Sequence, residues 1–204
     1  SRNCKRTNVM SEQMLPQIKQ ALEYFHKLFY DKIAYQDDQN NLCHRFQCWI
    51  AGGAVRDYFS QGYCSSDLDL YFTDKEEFEK AKQWMINDGA IILFENQNAI
   101  KISWRKLKLD LITYFFEDMA QCIETFDFTV CCAAINYGEV VTHQTFWMDL
   151  AKRRLVINKV TFPLSTMWRM HKYIKKGYTA CMGVMLEIAK ECSRQKIHEK
   201  YAHM

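Results

Sequence analysis

Apolar residues recur along this chain with two different spacings, and the places where one gives way to the other mark out its elements. Ile18, Leu22, Phe25, Leu28 and Phe29 fall three or four residues apart, which puts them on one face of a helix. They predict an amphipathic helix over residues 11–35, with Ser11 as its cap and Pro16 in its first turn. Residues 1–10 are polar and basic and are expected to fray. A polar loop is expected over 36–43, then a strand over 45–51 and a short helix over 53–61. Residues 67–72 alternate polar and apolar, the period of a strand with one buried face. Thr73-Asp74-Lys75-Glu76 has the form of a capping box, and Phe78, Ala81 and Met85 give the helix behind it a buried stripe that Asn87-Asp88-Gly89 ends. Strands follow over 91–94, 99–104 and 107–115, then a short helix over 117–123. Residues 128–135 and 139–143 flank Asn136-Tyr137-Gly138 as a hairpin, and helical spacing returns over 145–153, 164–176 and 180–200. Strands in the middle with helices outside and at the C-terminal end predict an α+β protein with a mixed or antiparallel sheet. The expected division is a head over 1–155 and a helical neck or C-terminal extension over 156–204.

Bulk composition narrows the picture only a little. With 204 residues, 49% hydrophobic and 25% charged, the chain has material for one sizeable core and a modest extension. A net charge of +3 is compatible with a nucleotide or nucleic-acid partner without demanding one. Nine cysteines cannot all pair within one chain, and two of them, Cys131 and Cys132, are adjacent. With no secretory signal ahead of them, free thiols and a reducing cytoplasm are the expectation. No apolar run reaches the roughly 18 residues that suggest a membrane span, and only two prolines and seven glycines are present, which leaves no flexible linker or repeat in view.

The chemistry concentrates between Ile50 and Phe72, IAGGAVRDYFSQGYCSSDLDLYF. On a strand, residues two apart face the same way, so Asp67 and Asp69 project together, opposite Leu68 and Leu70. Paired carboxylates repel unless something neutralises them. A hard divalent cation does so, and Mg²⁺ is commonly held by one or two carboxylates together with substrate phosphates. Gly52 and Gly53 lack the Cβ atoms that keep a ligand off the backbone, and amides at a helix start can meet phosphate oxygens. The fork of Arg56 matches phosphate oxygens, so Gly52, Gly53 and Arg56 are expected to bind a triphosphate. The alternatives are a surface arginine, and an Asp57 that orients Arg56 or a backbone turn. Asp110, alternating with apolar neighbours in Leu107–Ile112, lies on a strand that can run beside that of Asp67 and Asp69, or is an exposed strand residue paired with Lys101 or Lys108.

The ordered set of strand, GG-x-VRD, short helix and SDLDL resembles the signature of the DNA polymerase β-type nucleotidyltransferases. It is most similar to the class II branch that holds the bacterial CCA-adding enzymes and poly(A) polymerases. The resemblance spans most of residues 45–180. It implies a nucleotidyltransferase fold, and Asp67, Asp69 and Asp110 as catalytic residues that ligate two Mg²⁺ ions, with Mn²⁺ able to substitute. It further implies NTP as donor, ATP among them, an RNA 3′ end as acceptor, possession of a tRNA-processing type of chemistry, and release of pyrophosphate. Thr125-Phe126-Asp127-Phe128-Thr129 is similar to a second family motif, by which Asp127 positions the ribose, although Thr125, Phe126 and Cys131 replace its arginines and asparagine. Trp147–Leu150 with Arg153-Arg154 matches a third segment, by which Arg153 and Arg154 meet phosphates. Pro163 to Tyr178 keeps the pattern of the family's neck helix. Thr161, Phe162, Ser165 and Trp168 stand where charged base-reading residues are expected, which argues against faithful CCA addition. Arg169, Lys172, Lys175 and Lys176 still give that helix a basic face. Such a chain resembles a minimal, stand-alone member of a kind found in phage and bacterial genomes.

Other signals carry less. Cys43-His44 with Cys48 lacks a fourth zinc ligand. His26 and His171 fit helix faces, and Trp104, Trp147 and Trp168 fit core packing as well as base stacking. Two further readings stand beside the enzyme. One is a non-catalytic nucleotide- or RNA-binding module, which has no need of a repulsive acidic cluster. The other is a toxin-like enzyme that modifies a protein or a tRNA.

Overall fold

The computed structural model of the protein describes residues 15–194. The N-terminal segment, the Ser11 cap and the end of the last predicted helix lie outside the described residues. Helix α1 (Leu15–Phe25) runs through a π-helical turn, His26–Tyr30, into α2 (Asp31–Ile33). Its predicted stripe is buried at Ile18, Phe25 and Phe29, with Leu22 and Leu28 packed at the margin. The expected loop after it contains a small hairpin instead, β1 (Ala34–Gln36) against β2 (Leu42–His44). The Asp37 carboxylate ties its turn by accepting from the amides of Gln39 and Asn41. These strands are short and mostly polar, so no alternation announces them.

The main sheet has seven strands in the order β5-β6-β7-β4-β3-β8-β9. They are β3 (Cys48–Ala51), β4 (Leu68–Phe72), β5 (Ile91–Glu95), β6 (Ala99–Trp104), β7 (Leu107–Phe115), β8 (Ala133–Ile135) and β9 (Val140–Thr142). Only β4 and β7 run parallel; every other neighbouring pair is antiparallel. The architecture is thus a mixed sheet with flanking helices: α3 (Gly53–Gln61), α4 (Lys75–Asn87), α5 (Met119–Ile123), α6 (Phe146–Ala151), α7 (Pro163–Lys175) and α8 (Met182–Arg194). A two-residue parallel pair, β10 (Arg154–Leu155) with β11 (Thr179–Ala180), joins the region after α6 to the loop after α7.

Alternation along the strands divides the sheet into two faces. Leu68, Leu70, Phe72, Ile100, Ile102, Leu109 and Leu111 belong to the large core, together with Ala54 and Val55 of α3 and Phe78, Ala81 and Met85 of α4. Each of the Leu, Ile, Val, Phe and Met side chains among them contributes roughly 1.5–3 kcal/mol on burial, so this face anchors the sheet. On the other face Trp49 and Ala51 meet Met119, Cys122 and Ile123 of α5 in a smaller cluster, with Tyr71 and Phe126 at its edge. That smaller cover leaves part of the second face open, and the acidic residues stand there.

Two local expectations shift. Helix α4 is capped by Asp74, whose carboxylate accepts from the Glu77 amide. The cap therefore sits one residue beyond Thr73, because Asp is the stronger N-cap and has an acidic partner three residues on. The strand expected over 128–135 begins only at Ala133, after a 3₁₀ turn, Thr129–Cys131. All eight cysteines among the described residues are free thiols. No helix among the described residues is long and apolar enough to cross a membrane.

Candidate nucleotidyl-transfer site

Three central strands bring the site together. In the β3–β4 ladder Ala51 lies opposite Asp69, and in the β4–β7 ladder Asp69 lies opposite Asp110. Asp67 precedes β4 by one residue and shares the face of Asp69. The two carboxylates expected on one side of the sheet are on one side, and the strand of Asp110 runs next to them. Leu68 and Leu70, on either side of Asp69, are locked into the large core, so Asp69 and the Asp67 just before the strand have no other face to take.

Gly52 closes the chain end of β3 against this face. Its backbone sits at φ 78°, ψ −128°, and its amide donates to the Ala133 carbonyl over 2.9 Å. This backbone region is open essentially only to glycine. A Cβ there would stand 3.5 Å from the Phe126 ring and 3.9 Å from Asp69 Oδ2. The missing side chain thus leaves a notch directly beside the central carboxylate, at the start of α3. Gly53 begins that helix, over Ser66 and the Arg56 guanidinium.

Lys101 on β6 lies opposite Asp110 in register, and its ammonium reaches across β7. Nζ is 2.6 Å from Asp67 Oδ2, 2.9 Å from Asp110 Oδ1 and 3.0 Å from Asp110 Oδ2. Burial would lower the lysine's pKa, but the hydrogen bonds to Asp67 and Asp110 outweigh it and hold the ammonium more firmly protonated than usual. Of the alternatives for Asp110, its pairing with Lys101 is therefore present. One ammonium serves two carboxylates, and Asp69 receives less of it. Burial first, and the neighbouring Asp110 and Asp67 charges next, push the Asp69 carboxyl up to about 7, with Lys101 and Arg169 opposing. Among the described residues no three His, Cys, Asp or Glu side chains converge to hold a metal ion. The Cys43–His44–Cys48 group gives no such set either: His44 stacks on Tyr137 at 4.3 Å and Cys48 is buried.

The raised Asp69 pKa gives a prediction about stability. Its folded value lies above the unfolded one, so ionising it destabilises the fold as pH rises from about 4 through 7. The Asp69→Asn protein, unfolded by urea in EDTA, should gain on the wild type as pH rises. The gap should be about 1–3 kcal/mol wider at pH 8 than at pH 4. A gap that is constant or narrows with pH contradicts this.

Other expected residues take different places. Arg56, expected at the triphosphate or on the surface, is only 2% exposed. Its Nε and Nη2 donate to Asp57 Oδ1 at 2.9 and 2.5 Å, and its guanidinium lies 4.7 Å over the Tyr173 ring. The correction has a plain cause: a neighbouring carboxylate and an aromatic face from α7 satisfy the cation internally. Asp57 does orient Arg56, as the alternative reading had it, and also accepts from Ser65 and Ser66 at 2.6 and 3.0 Å. Asp127 is 7% exposed, and its Oδ2 accepts from Arg169 Nη1 of α7 at 2.8 Å. Arg154 is held on the fully buried Asp149, which also accepts from Thr129 and Thr145 at 2.7 Å each. Arg153 exposes its side chain on the turn after α6, at φ 46°. Trp104 is buried and donates to Asp88, Trp147 packs on Phe59, and Trp168 is exposed on α7, stacked with His171.

Arg169, Lys101 and Tyr71 were not singled out as site residues by the sequence. Tyr71 follows Asp69 by two positions and packs 5.8 Å from Phe126. The spacing Asp67, Asp69, Tyr71 was the available signal for it.

Residues 19–153 match the sequence model of the Gabija anti-defense 2 family protein. A "Gabija anti-defense 2" protein of Bacillus phage SPbetaL7 is 30% identical over 152 residues, covering 72% of this chain and 38% of that protein. This chain thus spans less than half of that relative's length. Among solved structures, a tRNA nucleotidyltransferase complexed with a primer tRNA and an incoming ATP analogue superposes with a TM-score of 0.53 at 18% identity, over 72% of this chain and 46% of that one. The Thermotoga maritima CCA-adding enzyme complexed with tRNA superposes with 0.53 at 15% identity, over 89% and 43%. The Bacillus stearothermophilus CCA-adding enzyme complexed with CTP gives 0.51 at 14%, over 85% and 42%. At these identities the likeness shows a shared nucleotidyltransferase fold.

Proposed function

We propose that this chain, which belongs to the Gabija anti-defense 2 family, is a divalent-metal-dependent nucleotidyltransferase. It moves an NMP from an NTP to a hydroxyl of a macromolecular acceptor and releases pyrophosphate. The observation that carries the reading is that Asp69 lies opposite Asp110 in the β4–β7 ladder, with Asp67 on the same sheet face and the notch at Gly52 beside Asp69. A fold maintained only for binding gains nothing from three carboxylates served by a single ammonium.

The residues fit a hard cation in two respects. Their donors are all carboxylate oxygens, the chemistry Mg²⁺ and Mn²⁺ prefer, and the absent Cβ of Gly52 keeps space open beside Asp69 Oδ2. Asp69, with Asp67 and Asp110, would hold the metal, which when bound acidifies the attacking hydroxyl and supports the pyrophosphate leaving group. The chain's own groups do the rest. Amides at the start of α3 face phosphate oxygens across the side-chain-free Gly52–Gly53 pair. Lys101 offsets carboxylate charge that would repel the triphosphate. Arg169, tied to Asp127, adds a second positive group close enough to draw down the Asp69 pKa.

The first acceptor proposed is an RNA 3′ end, because α7 carries Arg169, Lys172, Lys175 and Lys176 as a basic strip suited to a polyanion. A second reading, transfer onto a component of the defence system for which the family is named, is favoured by α7 itself. Ser165 and exposed Trp168 occupy the positions where base-reading charges were expected, so tRNA-end fidelity is not built in.

Purified protein should be incubated with Mg²⁺, each α-labelled NTP in turn, and either total cellular RNA or cell protein. Label should enter an RNase-sensitive product on the first reading and a protease-sensitive one on the second, and EDTA should abolish both. Absence of label and of pyrophosphate with all four NTPs refutes the proposal.

A further inference from the structure

We propose that the guanidinium fork of Arg169, on α7, receives the triphosphate, and that Asp127 holds Arg169 in place for that task. The pair takes over the role expected of Arg56, and Asp127 becomes a positioning residue in place of a ribose contact. The inference rests on the nucleotidyl-transfer reading and names the side chain that grips the donor's phosphates.

The cations around the site are mostly spoken for. Arg56 is sealed between Asp57 and the Tyr173 ring. Arg154 is held on Asp149, and Arg153 lies against Gly177, beyond the end of α7. Lys101 is committed to Asp67 at 2.6 Å. Arg169 differs from these. Its side chain is half exposed, and Asp127 takes one of its N–H donors. No second carboxylate among the described residues takes the others, and a guanidinium has donors to spare for phosphate oxygens.

Its place suits the task. Phe126 walls the notch at Gly52, its ring 3.5 Å from where a Cβ would stand. Asp127 is the next residue, so the guanidinium it anchors stands beside that wall. The positive charge is felt at Asp69, where it opposes the rise that burial causes. A phosphate chain in the notch would have the first amides of α3 on one side and the Arg169 fork on the other. The anchor is firm. Asp127 is buried, its Oδ1 accepts from the Phe128 amide at 3.1 Å and its Oδ2 from Arg169 Nη1 at 2.8 Å. Both oxygens are engaged, which suits a support for the guanidinium better than an acceptor for a ribose hydroxyl. A half-exposed ion pair adds little to stability, so fastening α7 is a weak reason for this one.

Inorganic tripolyphosphate carries the donor's charge without base or sugar. Calorimetric titration of the full chain with its Mg²⁺ complex should show binding by wild type. Arg169→Gln should weaken that binding about 10- to 100-fold. Lys172→Gln, which removes an exposed charge three residues along the same helix, should weaken it by less than about threefold. Equal losses in the two variants, or none at Arg169→Gln, overturn the inference and leave nucleotidyl transfer standing. Arg169→Lys keeps the charge without the fork and should lose binding several-fold. Should the glutamine variant fail to fold, undiminished binding by the lysine variant overturns the inference. Asp127→Asn should change affinity for tripolyphosphate and for the NTPs by one common factor, and a loss confined to NTPs would overturn its positioning role. Wild type that binds an NTP but not tripolyphosphate overturns this inference alone. Wild type that binds neither tripolyphosphate nor any of the four NTPs overturns both readings.

Discussion

Nucleotide transfer by the Asp67→Ala, Asp69→Ala double variant is expected to fall by roughly 10³-fold or more, about 4 kcal/mol of transition-state stabilisation. The two side chains share the open face of the sheet next to the Gly52 notch, and Asp69 lies opposite Asp110 in the central parallel ladder. Removing both leaves Asp110 alone with Lys101, one carboxylate already neutralised by one ammonium, with nothing left to attract a divalent ion. The fold should survive, because Leu68 between the two positions and Leu70 after them keep their places in the core and the change relieves the burial and repulsion that raise the Asp69 carboxyl to about 7. Initial rates of pyrophosphate release, with circular dichroism and thermal melts alongside, check both halves. A folded double variant that retains transfer within tenfold of wild type removes these residues from the mechanism.

Asp149→Ala should be the most damaging single change to stability, by about 3–5 kcal/mol in urea unfolding. The carboxylate is fully buried and accepts from Thr129, Thr145 and Arg154. Those bonds join the 3₁₀ turn, α6 and β10. Truncation strands two hydroxyls and one guanidinium that the fold has already partly desolvated. Burial alone would raise the Asp149 pKa, but the Thr145, Thr129 and Arg154 contacts outweigh it and hold the carboxyl below its ordinary range. The sign follows directly: the stabilisation is present above the unfolded pKa near 4 and is lost as pH falls through the lower folded value. The variant should therefore lose less stability on acidification than the wild type does. A cost below about 1 kcal/mol would mean the buried cluster contributes far less than its geometry implies.

Much of this is legible in the sequence, for identifiable physical reasons. The strands β6 and β7 and the helices α3, α4 and α7 lie almost where period-two and period-3.6 patterns placed them, because each buries one regular face. The carboxylate pair was legible for the same reason: Leu68 and Leu70 must face the core, so Asp67 and Asp69 must not. Arg56 was not. An arginine is rarely buried, and its burial here depends on Tyr173, which the sequence places on a helix far along the chain and the fold brings to 4.7 Å. Lys101 was half legible. Its pairing with Asp110 was one of the alternatives, yet its reach to Asp67 follows only from the β6–β7–β4 order. The small pairs β1–β2 and β10–β11 left no trace in the pattern, since two or three residues are too few to show a period. The cap of α4 fell one residue late because Thr73 and Asp74 both qualify chemically and only the backbone chooses.

The central claim is that one acidic sheet face, beside a bend that only glycine tolerates, holds a divalent ion and a triphosphate together. A crystal structure of the chain with Mn²⁺ and a non-hydrolysable NTP analogue, phased to show anomalous scattering from manganese, tests it most directly. A manganese peak is expected on the Asp69 carboxylate, with the triphosphate against the amides of α3 from Gly53 onward, since the Gly52 amide is already given to the Ala133 carbonyl. Manganese absent from the Asp67, Asp69 and Asp110 carboxylates, or a nucleotide bound on another face of the sheet, would contradict it.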